Sequence, residues 1–200
     1  MKILQAIEAD FEESISRSSD ETREIRIDNF NEFKKLGIPT SKQEFWKFTN
    51  PSIIKDSEFT LGLSKDYDDK KYDIIVVNGK LTKTNDDIKI NNIHESLAEK
   101  KISNEIFGIT NNPFINLNNA FSAEGCVVSF KDNMEQDVSI LNVVDNTTSK
   151  QIIHPRIIVN VGKNSNISIL EEIRFLGNKE NLVNSVTNFS LDEGSKVEHI

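Results

Sequence analysis

From Asn118 to Ile200 the chain is written in short runs of β-branched and other apolar residues, parted by Gly, Asn, Asp and Ser, with no amphipathic helical stretch between them. The runs are Cys126–Lys131, Val138–Val144, Arg156–Val161, Asn166–Glu172, Leu182–Leu191 and Lys196 to the end. A doubly wound α/β sheet needs a helix after each strand, so that architecture is excluded and this half reads as all β. Two segments are alike: Gly162-Lys163-Asn164-Ser165-Asn166-Ile167-Ser168-Ile169 and Glu193-Gly194-Ser195-Lys196-Val197-Glu198-His199-Ile200 each place a Gly/Ser turn before alternating residues. Such recurrence points to stacked coils, as in a β-helix, where each coil buries its apolar face against its neighbours. A β-sandwich is the alternative the same runs leave open. Ile157, Val159, Ile167 and Ile169 are the expected interior residues.

The other half is written differently. Ile3, Ile7, Phe11 and Ile15 recur at helical spacing through Arg17, after which Ser18-Ser19-Asp20 breaks the pattern and offers an N-cap. A second helix is expected from Glu21 to Leu36, with Ile27, Phe30, Phe33 and Leu36 on one stripe, Gly37 as its C′ residue and Pro39 beyond. Tyr72 to Leu81 is a β-branched run interrupted by Asn78-Gly79, a strong hairpin signal, so a small sheet is expected there. Ile93 to Lys101 reads as a short helix, and Asn111-Asn112-Pro113 as a closing loop. The expected fold is α+β and mainly β, with residues 1–117 forming a helical and small-sheet region and residues 118–200 the start of a β core.

Composition narrows the function. The 200 residues carry 36% hydrophobic and 28% charged residues, enough for one sizeable core or two small ones and unlike a disordered chain. No apolar run approaches the ~20 residues that span a bilayer, and Glu8 and Asp10 interrupt the N-terminal apolar stretch before a signal-peptide core forms. A soluble, cytoplasmic protein is expected, and the single Cys126 agrees with a reducing compartment. A net charge of -8 argues against nucleic acid as a partner.

Few residues invite a catalytic role. His154-Pro155-Arg156 combines a neutral-pH titrating group with an anion clamp, yet the proline holds His154 extended at the start of an apolar strand, and a structural role is expected. Glu171 and Glu172 are adjacent on a strand and face opposite ways, so they form no dyad. Cys126 lies in Gly125-Cys126-Val127-Val128, apolar company that raises a thiol pKa, and His94, His154 and His199 have no ligand-like spacing. No phosphate loop, nucleophile elbow or zinc-protease motif occurs. No catalytic, cofactor-binding or metal-ligating residue is therefore assigned. A β-helical carbohydrate-active enzyme is the enzymatic alternative, and it would need Asp192, Glu171 and Asp137 to converge on one groove.

The chain's only tryptophan lies in Gly37-Ile38-Pro39-Thr40-Ser41-Lys42-Gln43-Glu44-Phe45-Trp46-Lys47-Phe48-Thr49. Together with the helix end Phe33-Lys34-Lys35-Leu36 this stretch resembles the N-terminal signature of the SufB/SufD family of iron–sulfur cluster assembly proteins, most of all its D member. Ile75-Val76-Val77-Asn78-Gly79-Lys80-Leu81 is similar to the family's hairpin, and Leu117-Asn118-Asn119-Ala120-Phe121-Ser122-Ala123-Glu124-Gly125 to its lead-in to the β core. His154 to Val159, Ile169 to Glu172 and Asn184 to Thr187 follow in family order, so the resemblance covers nearly all of the chain from Arg23 onward.

The resemblance implies the first coils of a right-handed parallel β-helix from about Ala120. It implies a non-enzymatic scaffold that works with a SufB-like paralogue and a SufC-like ATPase. That ATPase uses the ATP, and the complex, not this chain, assembles the iron–sulfur cluster. Family members are about twice this long, so the resemblance also implies an N-terminal portion, and no docking or cluster-associated residue is carried over. Phe45, Trp46 and Phe48 are expected to pin the helices to the body, with Lys42 and Lys47 at the surface. A partner-binding aromatic patch is the alternative for these three, and a generic β-solenoid interaction protein the alternative for the whole.

Overall fold

The computed structural model describes residues 2–16, 20–57, 59–62, 66–83, 88–122 and 125–200. Ser18 and Ser19 of the expected N-cap lie outside these residues, as do Ala123 and Glu124 of the lead-in segment. Helix α1 (Lys2–Ser16) buries Ile3, Ile7, Phe11 and Ile15, the stripe its spacing announces. Helix α2 (Asp20–Leu36) buries Phe30 and Phe33 beside it, and the rings of Phe11 and Phe30 stack with centroids 3.9 Å apart. Gly37 ends α2 with a φ of 69°, its N–H donating to the Phe33 carbonyl. Ile27 and Leu36 are only half-buried, whereas Thr22, Arg26 and Asn29 are buried, so α2 hides a polar stripe as well as an apolar one.

After strand β1 (Thr60–Leu61), the expected hairpin forms from β2 (Ile74–Val77) and β3 (Lys80–Lys83), with Asn78 and Gly79 at φ 49° and 89°. Positive φ at both positions matches the twist of the strands it joins. β4 (Lys89–Asn92) leads directly into α3 (Ile93–Ala98), capped by Asn92, whose side chain accepts from the Glu95 N–H. Asn112 and Pro113, expected to close a loop, open a helix instead: α4 (Pro113–Phe121) begins with Pro at its first turn and the Asn112 side chain accepting from the Phe114 N–H. That pairing of cap and proline suits a helix start as well as a loop. The expected boundary between Leu117 and Asn118 falls inside α4.

The remaining strands are β5 (Cys126–Phe130), β6 (Glu135–Val144), β7 (Gln151–Ile153), β8 (Arg156–Val161), β9 (Asn166–Phe175), β10 (Asn181–Val183), β11 (Val186–Leu191) and β12 (Lys196–His199). Each pairs in parallel with the strand three places further on: β5 with β8 with β11, β6 with β9 with β12, and β7 with β10. The registers share one offset, since Cys126 lies opposite Ile157, Arg156 opposite Val186, Glu135 opposite Asn166 and Asn166 opposite Lys196, or 30 to 31 residues each time. The turns repeat with the strands. Asn133, Asn164 and Gly194 all take positive φ (60°, 54° and 74°) at matching positions, and the N–H groups of Asn133 and Asn164 donate to the Lys163 and Glu193 carbonyls in the turn above. At Gly194 a side chain would press on the Asn164 amide, and glycine takes the positive φ there that asparagine takes in the two preceding turns.

The N-terminal strands are sewn onto these ladders. β2 runs parallel to β6, β4 antiparallel to β5, and β1 parallel to β7, so the expected hairpin extends one sheet while β1 and β4 extend the other two at the same end. Ile157, Val159, Ile167 and Ile169 are in the interior as expected, with Val128, Val138, Ile140, Ile74 and Val76. All four residues of β2 are buried because both faces are covered: Ile74 and Val76 face this core, while Ile75 and Val77 pack with Leu141 and Val143 on the other side. Strand accounts for about 33% of the structure and helix for about 31%, so it is a mixed α and β fold rather than a mainly β one, α4 and the short 3₁₀ turns making up the difference.

Candidate interaction surfaces

His154 and Arg156 sit inside a polar network that bonds the helices to the ladders. His154 is buried, stacked on Phe121, with the Asn184 amide donating to its Nδ1 at 3.1 Å. Burial alone pushes its pKa down to about 3, so the imidazole is neutral at physiological pH. The Arg156 guanidinium donates to the Asn118 and Asn119 side-chain oxygens at 3.1 and 2.8 Å and to the Ile106 carbonyl at 3.0 Å, and it lies over the Phe107 ring. Burial pushes its pKa down to about 10, which leaves it charged. Asn118 donates in turn to the Pro155 and Asn184 carbonyls, and Asn119 to Asn29 of α2. Neither His154 nor Arg156 faces solvent, in keeping with the structural role expected for them.

The acidic candidates disperse. Glu171 lies on the core-facing side of β9 and accepts from Asn142 (2.7 Å) and Thr187 (3.2 Å), with His199 Nε2 at 2.8 Å. Glu172 faces the opposite way, where the Tyr72 hydroxyl donates to it at 2.6 Å and Arg174 at 2.8 Å, while Arg174 also bonds Asp69. These bonds hold the Glu172 carboxyl, through Tyr72 first and then Arg174, and the Asp69 carboxyl, through Arg174, below the ordinary carboxylate range. Asp137 is exposed next to inward-facing Val138, opposite Ser168, and Asp192 stands in the turn after β11 on a different sheet. Asp137, Glu171 and Asp192 thus do not converge on one groove. Cys126 is wholly buried and its thiol pKa is pushed up to about 12 by that burial.

The tryptophan segment departs from expectation. Phe45 is 98% exposed and Phe48 95%, with Ile53 nearby at 81%, so the two phenylalanines pin nothing. Trp46 alone turns inward, half-buried and edge-on to Phe114 with centroids 5.4 Å apart. The helices are held instead by Phe11, Phe30, Phe33 and Phe121. The cause is local geometry. Residues 40–49 form consecutive turns around a 3₁₀ turn at Glu44–Trp46, which leave Phe45 and Phe48 exposed while Trp46 turns inward. Buried Ile38, Pro39 and Pro51 fix both ends of the segment. Lys42 and Lys47 are at the surface as expected, Lys47 Nζ lying 5.6 Å from the Phe48 ring centre.

Two further surfaces stand out. On β11, Phe189 and Leu191 are 37% and 50% exposed although their partners in register, Val159 and Val161, are buried, because among the described residues no strand pairs with the far edge of β10, β11 or β12. Along the outer face of the β4–β5–β8–β11 sheet runs an open groove of about 420 Å³, lined by the in-register Ser129, Asn160 and Ser190 with Lys89, Asp132 and Asp192 at its margins. Among the described residues no group of three or more His, Cys, Asp or Glu is placed to hold a metal ion, and no helix is long and apolar enough to cross a membrane. No protein-family model matches the chain, and no curated protein matches it.

Proposed function

We propose that the chain is a SufD-like scaffold subunit of the SUF iron–sulfur assembly machinery, its ladders forming the first coils of a right-handed parallel β-helix. The observation that carries this proposal is the common 30 to 31-residue offset of three parallel ladders, which falls on the segments, Arg156–Val161, Asn166–Phe175 and Val186–Leu191, where the resemblance implies coils. A coil of that length, traversing three sheets, is a supersecondary unit that gains its core by stacking. The motif order from Phe33 to Thr187 and the exposed apolar surfaces, suited to a subunit of an assembly, support the same proposal.

In this role the chain works in the cytoplasm with a SufB-like paralogue and a SufC-like ATPase. The cluster is cargo built by the complex, ATP is consumed by the ATPase, and the chain itself is neither an enzyme nor the holder of a resident cofactor. The carbohydrate-active alternative gains nothing from Asp137, Glu171 and Asp192, which lie on different faces. Affinity capture after co-expression with the SufB-like and SufC-like proteins of the same organism tests the proposal. Recovery of both is the expected result, and recovery of neither would contradict it.

A further inference from the structure

Phe45 and Phe48, three residues apart, present two whole aromatic rings to water in a segment whose ends are fixed. The segment is hydrogen-bonded throughout: Gln43 donates to the Thr40 carbonyl, Trp46 to Gln43, Lys47 to Glu44 and Thr49 to Trp46. Its shape therefore exists before anything binds, which lowers the ordering cost of binding. The charge along it has the opposite sign to that of the whole chain. Lys34 and Lys35 pair with Glu8 and Glu32, and between Pro39 and Lys55 stand Lys42, Lys47 and Lys55 against Glu44, a local charge of +2 in a chain of net charge -8.

We infer that this segment docks a short acidic stretch of another protein, apolar side chains lying on Phe45 and Phe48 and carboxylates facing Lys42 and Lys47. Size favours a peptide-like partner: two aromatic rings offer roughly 300–500 Å², well short of the ~800 Å² per side of a standard interface. Charge favours a protein over an anionic bilayer. A short segment meets chiefly the charges of the segment itself, Lys42 and Lys47 against Glu44, within a Debye length of about 8 Å, whereas a bilayer meets a broad face of an acidic molecule. The inference is independent of the scaffold proposal and stands or falls without it.

Trp46 is the only tryptophan and lies in the segment, so its fluorescence reports binding without a label. A short synthetic peptide of alternating leucine and glutamate, titrated into the intact chain, is expected to shift Trp46 emission saturably. Replacing its glutamates with glutamine should weaken binding at least about tenfold, the equivalent of ~1.4 kcal/mol. The double variant Phe45→Ser, Phe48→Ser should abolish the response with an unchanged melting temperature, and Lys42→Glu with Lys47→Glu should weaken it while leaving the fold intact. Equal binding of the glutamine peptide, no response to either peptide, a response to phosphatidylserine vesicles alone, or self-association that the double variant removes would each overturn the inference.

Discussion

The imidazole of His154 lies flat on the ring of Phe121, centroids 4.7 Å apart and planes 14° apart, so the last residue of α4 covers the corner between β7 and β8. Asn184 donates to His154 Nδ1, which places the proton of the neutral ring on Nε2, an atom with no hydrogen-bond partner among the described residues. Folding therefore favours the neutral form. In the unfolded chain the ring titrates near 6.5, and in the folded one near 3. Between those values the unfolded state binds the extra proton, so stability is full above about pH 6.5 and falls as pH drops toward 3, by up to about 1.4 kcal/mol per pH unit from this group. Melting curves from pH 7 to 4 should show a shallower decline for His154→Gln than for the native chain. Parallel declines would show that His154 is not buried neutral.

Arg156 is expected to be among the most costly positions to change. Arg156→Ala removes a buried side chain and strands the Asn118 and Asn119 oxygens, for a loss of about 3–5 kcal/mol. Arg156→Lys keeps the charge but not the planar fork, and should lose about 1–3 kcal/mol. Urea unfolding measures both, and a loss below 1 kcal/mol for the alanine variant would contradict the network.

Substitutions in the tryptophan segment should divide sharply. Phe45→Ser and Phe48→Ser should each change stability by no more than about 0.5 kcal/mol, as for other exposed sites. Trp46→Ala, which loses one edge contact and half a ring's burial, should cost about 1–2 kcal/mol, below the 3–5 kcal/mol of a fully buried aromatic. Equal losses at all three positions would restore the anchoring role expected from sequence.

Cys126 should resist thiol reagents in the folded chain and react once it is unfolded, since burial keeps it protonated far above neutral pH. Stoichiometric labelling under native conditions, with no loss of structure, would show that the strand opens or that the thiol is exposed.

What could be seen in the sequence was what repeats locally. The α1 stripe, the Asn78-Gly79 hairpin and the limits of Arg156–Val161 follow from periodicity and turn chemistry within a few residues. The likeness of Gly162–Ile169 to Glu193–Ile200 reflects stacked turns, but the matching turn at Asn133 carries no such signal because Lys131-Asp132-Asn133-Met134 lacks glycine and serine. Gln151–Ile153 is too short for a pattern, and its identity as a strand comes from its neighbours β1 and β10. The network from Arg156 to Asn118 and Asn119 spans 37 to 38 residues and leaves no local trace beyond two asparagines in a helix that propensity does not favour. The aromatic segment misleads because hydrophobicity cannot say which side of a 3₁₀ turn faces water.

Cluster transfer offers the sharpest test of the scaffold role. The chain is combined anaerobically with the proposed partners, a SufB-like protein and a SufC-like ATPase of the same organism, together with iron, a sulfide source and ATP, and the cluster delivered to an apo-ferredoxin is quantified with the chain present and with it omitted. A scaffold subunit predicts delivery that depends on the chain and, with the Cys126 thiol buried, persists in Cys126→Ser. Equal delivery without the chain would contradict that role.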